Sequence, residues 1–158
     1  MARITKEQRQ QKYEFINQSI WELFLEKGWG QVTYHQVSLK TGIRQSSLQS
    51  YHKSVSSFGD ALKGRAFPYF LSHLDLSSCE VLDKSWTIAL KDPGFRHIIW
   101  LLIGHISESK EINELAYQGL SKLLMKVSEE LGEEGYQTIE KMIGRTAIDM
   151  AFNHKLIK

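Results

Sequence analysis

Residues 23–54 read LFLEKGWGQVTYHQVSLKTGIRQSSLQSYHKS, and the fold turns on how this stretch is punctuated. Gly28 ends the helix that precedes it, as a left-handed C-terminal residue. Thr33 stands three residues before Gln36, the spacing of a capping box, and opens a second helix. Val37 and Leu39 face that helix inward, and Gly42 stops it. Ile43 then leads into Arg44-Gln45-Ser46-Ser47-Leu48-Gln49-Ser50-Tyr51, a short polar helix with Leu48 as its apolar anchor. Two short helices joined by a tight turn containing glycine make a helix-turn-helix.

The flanks extend this pattern. Upstream, Tyr13, Ile16, Ile20, Leu23 and Phe24 recur at three- and four-residue steps, which predicts an amphipathic helix from about residue 6 to Lys27. Downstream, Ser54 or Ser57 caps a fourth helix, with Asp60 completing a box with Ser57. Phe58, Leu62, Ala66, Tyr69 and Phe70 form its buried side, and Pro68 kinks or splits it near Arg65. Ser77 with Glu80 opens a helix to about Lys91. Asp92-Pro93 reads as cap plus first helical residue, launching the apolar run from Phe95 to Ile106. Ile112, Leu115, Ala116, Gly119, Leu123, Leu124, Val127 and Leu131 mark a long helix closed by Gly132. Ile139, Met142, Ile143, Thr146, Ala147, Met150 and Ala151 stripe the last one. Eight helices and no convincing strand predict an all-α protein. Residues 1–53 form a three-helix DNA-binding domain, and residues 54–158 a short helical domain for regulation and dimerisation.

A length of 158 residues, 42% of them hydrophobic and 24% charged, suits one compact body or two intimately packed halves, and few prolines lean towards helix. The single Cys79 rules out an intramolecular disulfide framework and a multi-cysteine zinc module. The basic, polar N-terminus is no signal peptide, and the longest apolar stretch, Ile98 to Ile103, is far short of a membrane span. A cytoplasmic protein without a membrane partner is expected. Net charge is only +2, but residues 1–65 carry 10 Lys and Arg against 5 Asp and Glu, and the remainder carries 10 against 13. A basic first third on a mildly acidic body suits a polyanion-binding head.

On Leu23, Phe24, Gly28, Trp29, Thr33, Val37, Gly42, Ile43, Leu48 and Tyr51, the chain resembles the TetR family of bacterial transcription regulators over roughly residues 10–65. It departs from the family pattern at Ile20, usually Ala, and at Arg44, usually a small capping residue. Gln49 stands for a Tyr, His52 for a packing Phe and Val55 for a Lys. The resemblance implies a homodimer that reads double-stranded DNA with the second helix of the motif. Arg44 and Gln45 then face base edges, where each good pair discriminates by ~1–3 kcal/mol. Ser46 and Gln49 are secondary readers. Thr33 and Tyr34 offer hydroxyls and backbone N–H groups to phosphate, and Tyr51 and Lys53 flank the groove. Tyr51 is equally suited to packing on the first helix, and His52 to filling the place of the missing Phe.

In the body, Gly119, Leu123, Ile143, Gly144, Ala147, Met150 and Ala151 are the candidate dimer interface, since small residues on apolar stripes let helices approach closely. The same stripes would also serve the chain's own core. Trp86, Phe95, Trp100, Tyr117 and Met125 are candidate walls of a pocket for a small apolar or amphipathic effector, or else ordinary core. His97 and His105 lie roughly 80° apart on a helix, so no metal site is expected. Without a phosphate-binding glycine loop, metal-ligand spacing or nucleophile elbow, neither an enzyme nor a cofactor is expected. The alternative to a DNA reader is a degenerate family member that acts through protein–protein contacts.

Overall fold

The computed structural model describes residues 4–108 and 114–156, and among them every regular element is helical. The chain divides into two units, Met1–Ala66 and Phe67–Lys158.

In the first unit, α1 spans Lys6–Lys27. Thr5 and Gln8 cap its start reciprocally, each side chain accepting the other's backbone N–H at 3.1 and 2.9 Å. It buries Ile16, Ile20, Leu23 and Phe24. The family departure at Ile20 is therefore a core residue. Gly28 ends the helix with φ 80° and ψ 170°, not in the left-handed helical region that its position suggests. That extended, positive-φ region is essentially open to glycine alone, and it sends the chain straight out into a short 3-10 turn, Trp29–Gln31.

α2 spans Tyr34–Thr41, with the Thr33 hydroxyl accepting the Gln36 N–H at 3.2 Å. The expected box is only half built. The Thr33 N–H donates to the Gln31 carbonyl instead, which leaves the Gln36 side chain no cap to complete. α2 buries one narrow strip around Val37. Leu39, two residues on and roughly 200° round the helix, is 67% exposed, contrary to the inward placement expected for it. Gly42 closes α2 in the left-handed region, and α3 spans Gln45–Gln49 on a fully buried Leu48.

The fourth predicted helix is split, as Pro68 foretold. A 3-10 segment, Ser56–Ala61, is separated from α4, Ala66–Ser72. Gly64 turns the chain with φ 73°, and Pro68 falls in the first turn of α4, where a missing N–H costs little. Ser54 and Ser57 exchange backbone-to-hydroxyl bonds, whereas Asp60 pairs with Lys63 at 2.7 Å and completes no box with Ser57.

In the second unit, α5 spans Cys79–Ala89, and its cap is Ser78, one residue later than expected. The hydroxyl and N–H of Ser77 are both drawn to Asp75, which leaves Ser78 to accept from Val81. α6, Pro93–Glu108, starts as the Asp92-Pro93 pair predicts, the Asp92 carboxylate accepting the Phe95 N–H at 2.7 Å. α7, Glu114–Leu156, is broken at Gly132, where φ 64° and ψ −154° again demand glycine. Its two arms bring the α-helical segments to eight among the described residues. Just past the break, a Cβ on Gly135 would lie 2.6 Å from that of Leu131, so only glycine fits that turn without displacing a neighbour. Ile112 lies outside the described residues, as do the side chains of Ile106 and Leu115.

Phe70, Leu82, Trp86, Phe95, Ile99, Val127, Ile139 and Met142 make the core of this unit. Each large apolar side chain so buried contributes ~1.5–3 kcal/mol. The Trp86 indole donates to the Thr146 hydroxyl at 3.0 Å, and that hydroxyl donates to the Met142 carbonyl at 2.8 Å. Arg145 forks onto both carboxylate oxygens of Asp83 at 3.1 and 3.2 Å, tying α7 to α5. The guanidinium holds the Asp83 carboxyl below its ordinary range.

Candidate nucleic-acid interface

The geometry of the helix-turn-helix rests on a few side chains at its corners. The Thr41 hydroxyl donates to the Val37 carbonyl at 2.7 Å and accepts the Ile43 N–H at 3.2 Å, so it staples the turn through Gly42. Arg44 stands at the start of α3 with extended φ and ψ of −60° and 142°, and its side chain makes no capping bond. All four candidate base readers, Arg44, Gln45, Ser46 and Gln49, are exposed, while Leu48 is sealed in the core.

The supports behind α3 are less visible in the sequence. His52 is buried and lies at the centre of the first unit. Its Nδ1 is 3.1 Å from the Ser57 carbonyl and its Nε2 is 2.8 Å from the Asn17 carboxamide. The ring stacks on Tyr13 and takes the edge of Phe58. It fills the place of an aromatic, as expected, but is fully buried and joined by hydrogen bonds. Burial pushes its pKa down, with the Ser57 carbonyl and Asp60 pulling the other way.

The Tyr34 hydroxyl donates to the His52 carbonyl at 2.6 Å, and its ring meets the edge of Phe58. Thr33 is exposed with its hydroxyl on Gln36, and Lys53 is exposed. Tyr51 is half-buried beneath α1, with the Arg9 guanidinium 4.7 Å over its ring and the Lys12 ammonium 6.0 Å away. Arg9 also donates to the Ser50 carbonyl at 2.9 Å, at the end of α3. On the other flank, Lys40 of α2 reaches Glu22 and Glu26 of α1 at 3.2 and 3.8 Å. Hydrogen bonds from Gln18 and then Lys40 hold the Glu22 carboxyl below its ordinary value. Sequence reasoning did not single out Arg9, Asn17, Thr41 or the role of Lys40. The partners of Arg9 and Asn17 are 41 and 35 residues away, so no local spacing points to those two, whereas Thr41 bonds only to near neighbours.

The candidate effector and dimer residues lie in the second unit. Trp86 and Phe95 meet edge to face at 5.3 Å, and Phe70 stacks on Phe95 at 4.3 Å. Trp100, Tyr117 and Met125 are instead exposed, by 48, 63 and 63%. Of the candidate interface, Leu123 is buried in its own unit, Gly119, Ile143, Ala147 and Met150 are half-buried, and Gly144 and Ala151 are exposed. A shallow open groove elsewhere on this unit, lined by Cys79, Glu80, Asp83, Lys84, Thr138 and Lys141, was not foreseen. No helix among the described residues is long and apolar enough to cross a membrane. No group of three or more His, Cys, Asp or Glu among them is placed to hold a metal.

Residues 63–150 match the family model of the tetracycline repressor LuxT C-terminal domain. A search of curated proteins returned no match. The matched segment covers all of α4 through most of α7, beyond the region from which the helix-turn-helix was read. With more than half of its length so matched, the chain belongs to the tetracycline repressor (TetR) family of transcriptional regulators, with a C-terminal domain of the LuxT kind.

Proposed function

We propose that the protein is a sequence-specific DNA-binding transcriptional regulator that acts as a homodimer. In this reading the head of residues 1–53 enters the major groove and the remainder, 54–158, joins two heads at fixed spacing. The observation that carries the reading is the exposure of the polar residues around the buried anchor of α3. Arg44, Gln45, Ser46 and Gln49 are exposed while Leu48 is fully buried, on a helix of five residues that tertiary ties must hold in place. An uncapped, exposed Arg44 suits bidentate pairing with guanine, and Gln45 suits adenine. Thr33 and Lys53 stand on either flank as phosphate contacts.

Control by a small apolar or amphipathic ligand belongs to the same proposal. Trp86 and Phe95 already meet edge to face, so a ligand between them must part that contact. Its entry would shift the Trp86 emission.

The test is selection of genomic DNA fragments on the purified protein at near-physiological salt. A short two-fold-symmetric motif supports the reading, and the Arg44→Ala variant should then lose the preference within that motif while unfolding at the same temperature. Weak, sequence-blind retention by the wild-type protein would overturn it in favour of action through protein partners.

A further inference from the structure

Some lysines and arginines of the first unit are paired with carboxylates and others, Lys6, Lys27 and Arg65 included, are not paired with one among the described residues. Lys40 sits on Glu22 and Glu26, and Lys63 on Asp60, so their charge is answered within the unit. Arg9, Lys12, Arg44 and Lys53 form no ion pair with a carboxylate among the described residues. Arg44 and Lys53 bracket α3. The other two belong to α1, far away in sequence, yet both are drawn to the end of α3 by Tyr51.

Arg9 is held there in a defined pose. One terminal nitrogen donates to the Ser50 carbonyl, and the guanidinium lies over the Tyr51 ring. An arginine stacked on an aromatic keeps its remaining N–H donors pointing in fixed directions, and a planar guanidinium suits phosphate oxygens. Lys12 adds a second positive charge over the same ring. A pair of unanswered cations fixed beside the reading helix raises the local potential for a polyanion.

We propose that Arg9 and Lys12, held against Tyr51, grip the sugar-phosphate backbone beside the groove that α3 reads. This inference rests on the DNA-binding function proposed above. It makes Tyr51 the post on which the clamp is mounted. Contacts of this kind set register and affinity without reading sequence.

The experiment measures binding of the full-length protein to its selected site as a function of salt. It compares the wild type with Lys12→Gln, Arg9→Gln and, as a charge control in the second unit, Lys84→Gln. Removing one cation from a phosphate should lower the slope of log affinity against log salt by about 0.9 per protomer. Lys12→Gln, which breaks no hydrogen bond among the described residues, should lower the slope while keeping the site preference and the unfolding temperature. Arg9→Gln should do the same, with a further drop in affinity as α3 loses its terminal bond. Lys84→Gln should leave the slope unchanged. A wild-type protein that binds its site steeply, with both α1 variants at the same slope, would overturn the clamp and leave the DNA reading standing. A wild-type protein that does not bind duplex DNA would overturn both.

Discussion

The Tyr34 hydroxyl donates a 2.6 Å hydrogen bond to the backbone carbonyl of His52, joining the first residue of α2 to the chain just beyond α3. This bond closes the helix-turn-helix at its open end, opposite the Gly42 turn. α3 has only five residues, far fewer than a helix needs to hold itself together in water. Its orientation therefore comes from such tertiary ties. Removing the hydroxyl in Tyr34→Phe keeps the ring against Phe58 and leaves the His52 carbonyl without its donor. The first unit should lose ~1–2 kcal/mol in denaturant unfolding, and DNA affinity should fall more than stability does. A variant with wild-type stability and affinity would show that the other ties, from Thr41, Leu48 and Arg9, fix α3 without it.

His52 makes the same unit sensitive to acid. The Ser57 carbonyl only accepts, so the neutral ring donates to it from Nδ1, while Nε2 lies 2.8 Å from the Asn17 Oδ1. Burial lowers the folded pKa below the ordinary 6.5, against the opposing pull of Ser57 and Asp60. The unfolded chain then binds the proton more readily than the folded one. The stability contributed by neutral His52 is complete above about pH 6.5 and is lost progressively as the pH falls toward the depressed folded pKa. Unfolding followed between about pH 7.5 and pH 5 should show this decline in the wild type, and His52→Phe should remove that part of it. Parallel profiles for the two proteins would mean that the ring is not the titrating group.

Much of the architecture was legible because its signals are local. Gly28, Gly42 and Gly132 end helices where their positions say they should, and Asp92-Pro93 starts one. Pro68 marks a break, as expected, and the structure places it at the start of α4. The errors are of one residue or one face. Ser78 replaced Ser77 because Asp75 competes for the earlier serine, and Leu39 turned outward because so short a helix has only one buried strip. The exposed candidates on α3 could be named from the sequence, since polar residues around a lone leucine show their face. What holds that helix could not. Its ties run between residues 18 apart for Tyr34 and His52, and 41 apart for Arg9 and Ser50.

In the second unit the corresponding long tie is Trp86 to Thr146, 60 residues apart. Both residues are buried, so Thr146→Val preserves shape but leaves the indole N–H without an acceptor. That should destabilise this unit by ~1–3 kcal/mol, measured as a lower unfolding midpoint with a changed Trp emission. The helix-turn-helix lies in the other unit, and the affinity of each head for DNA should be unchanged once the variant is folded. An unaltered midpoint would show that water replaces the hydroxyl there.

The second arm of α7 has two apolar sides. Ile139, Met142 and Thr146 point into the unit's own core, while Gly144, Ile148, Ala151 and Phe152 lie on the opposite side of the same helix. Ile148 and Phe152 are 58 and 66% exposed, and it is on such an uncovered apolar face that the proposed homodimer would form. Gly144 and Ala151 between them leave room for a second helix to come close. A carboxylate introduced by Ile148→Asp falls on an uncovered face of the single chain, so the unfolding midpoint extrapolated to low concentration should hold. Across a two-fold interface the same carboxylate meets apolar surface twice and is buried without a partner, which costs several kcal/mol of association. The variant should sediment as a monomer at concentrations where the wild type is a dimer, and should bind a single half-site about as well as one wild-type head does. A variant that still sediments as a dimer would place the interface elsewhere, and Met125→Asp on the first arm would then be the next substitution to measure.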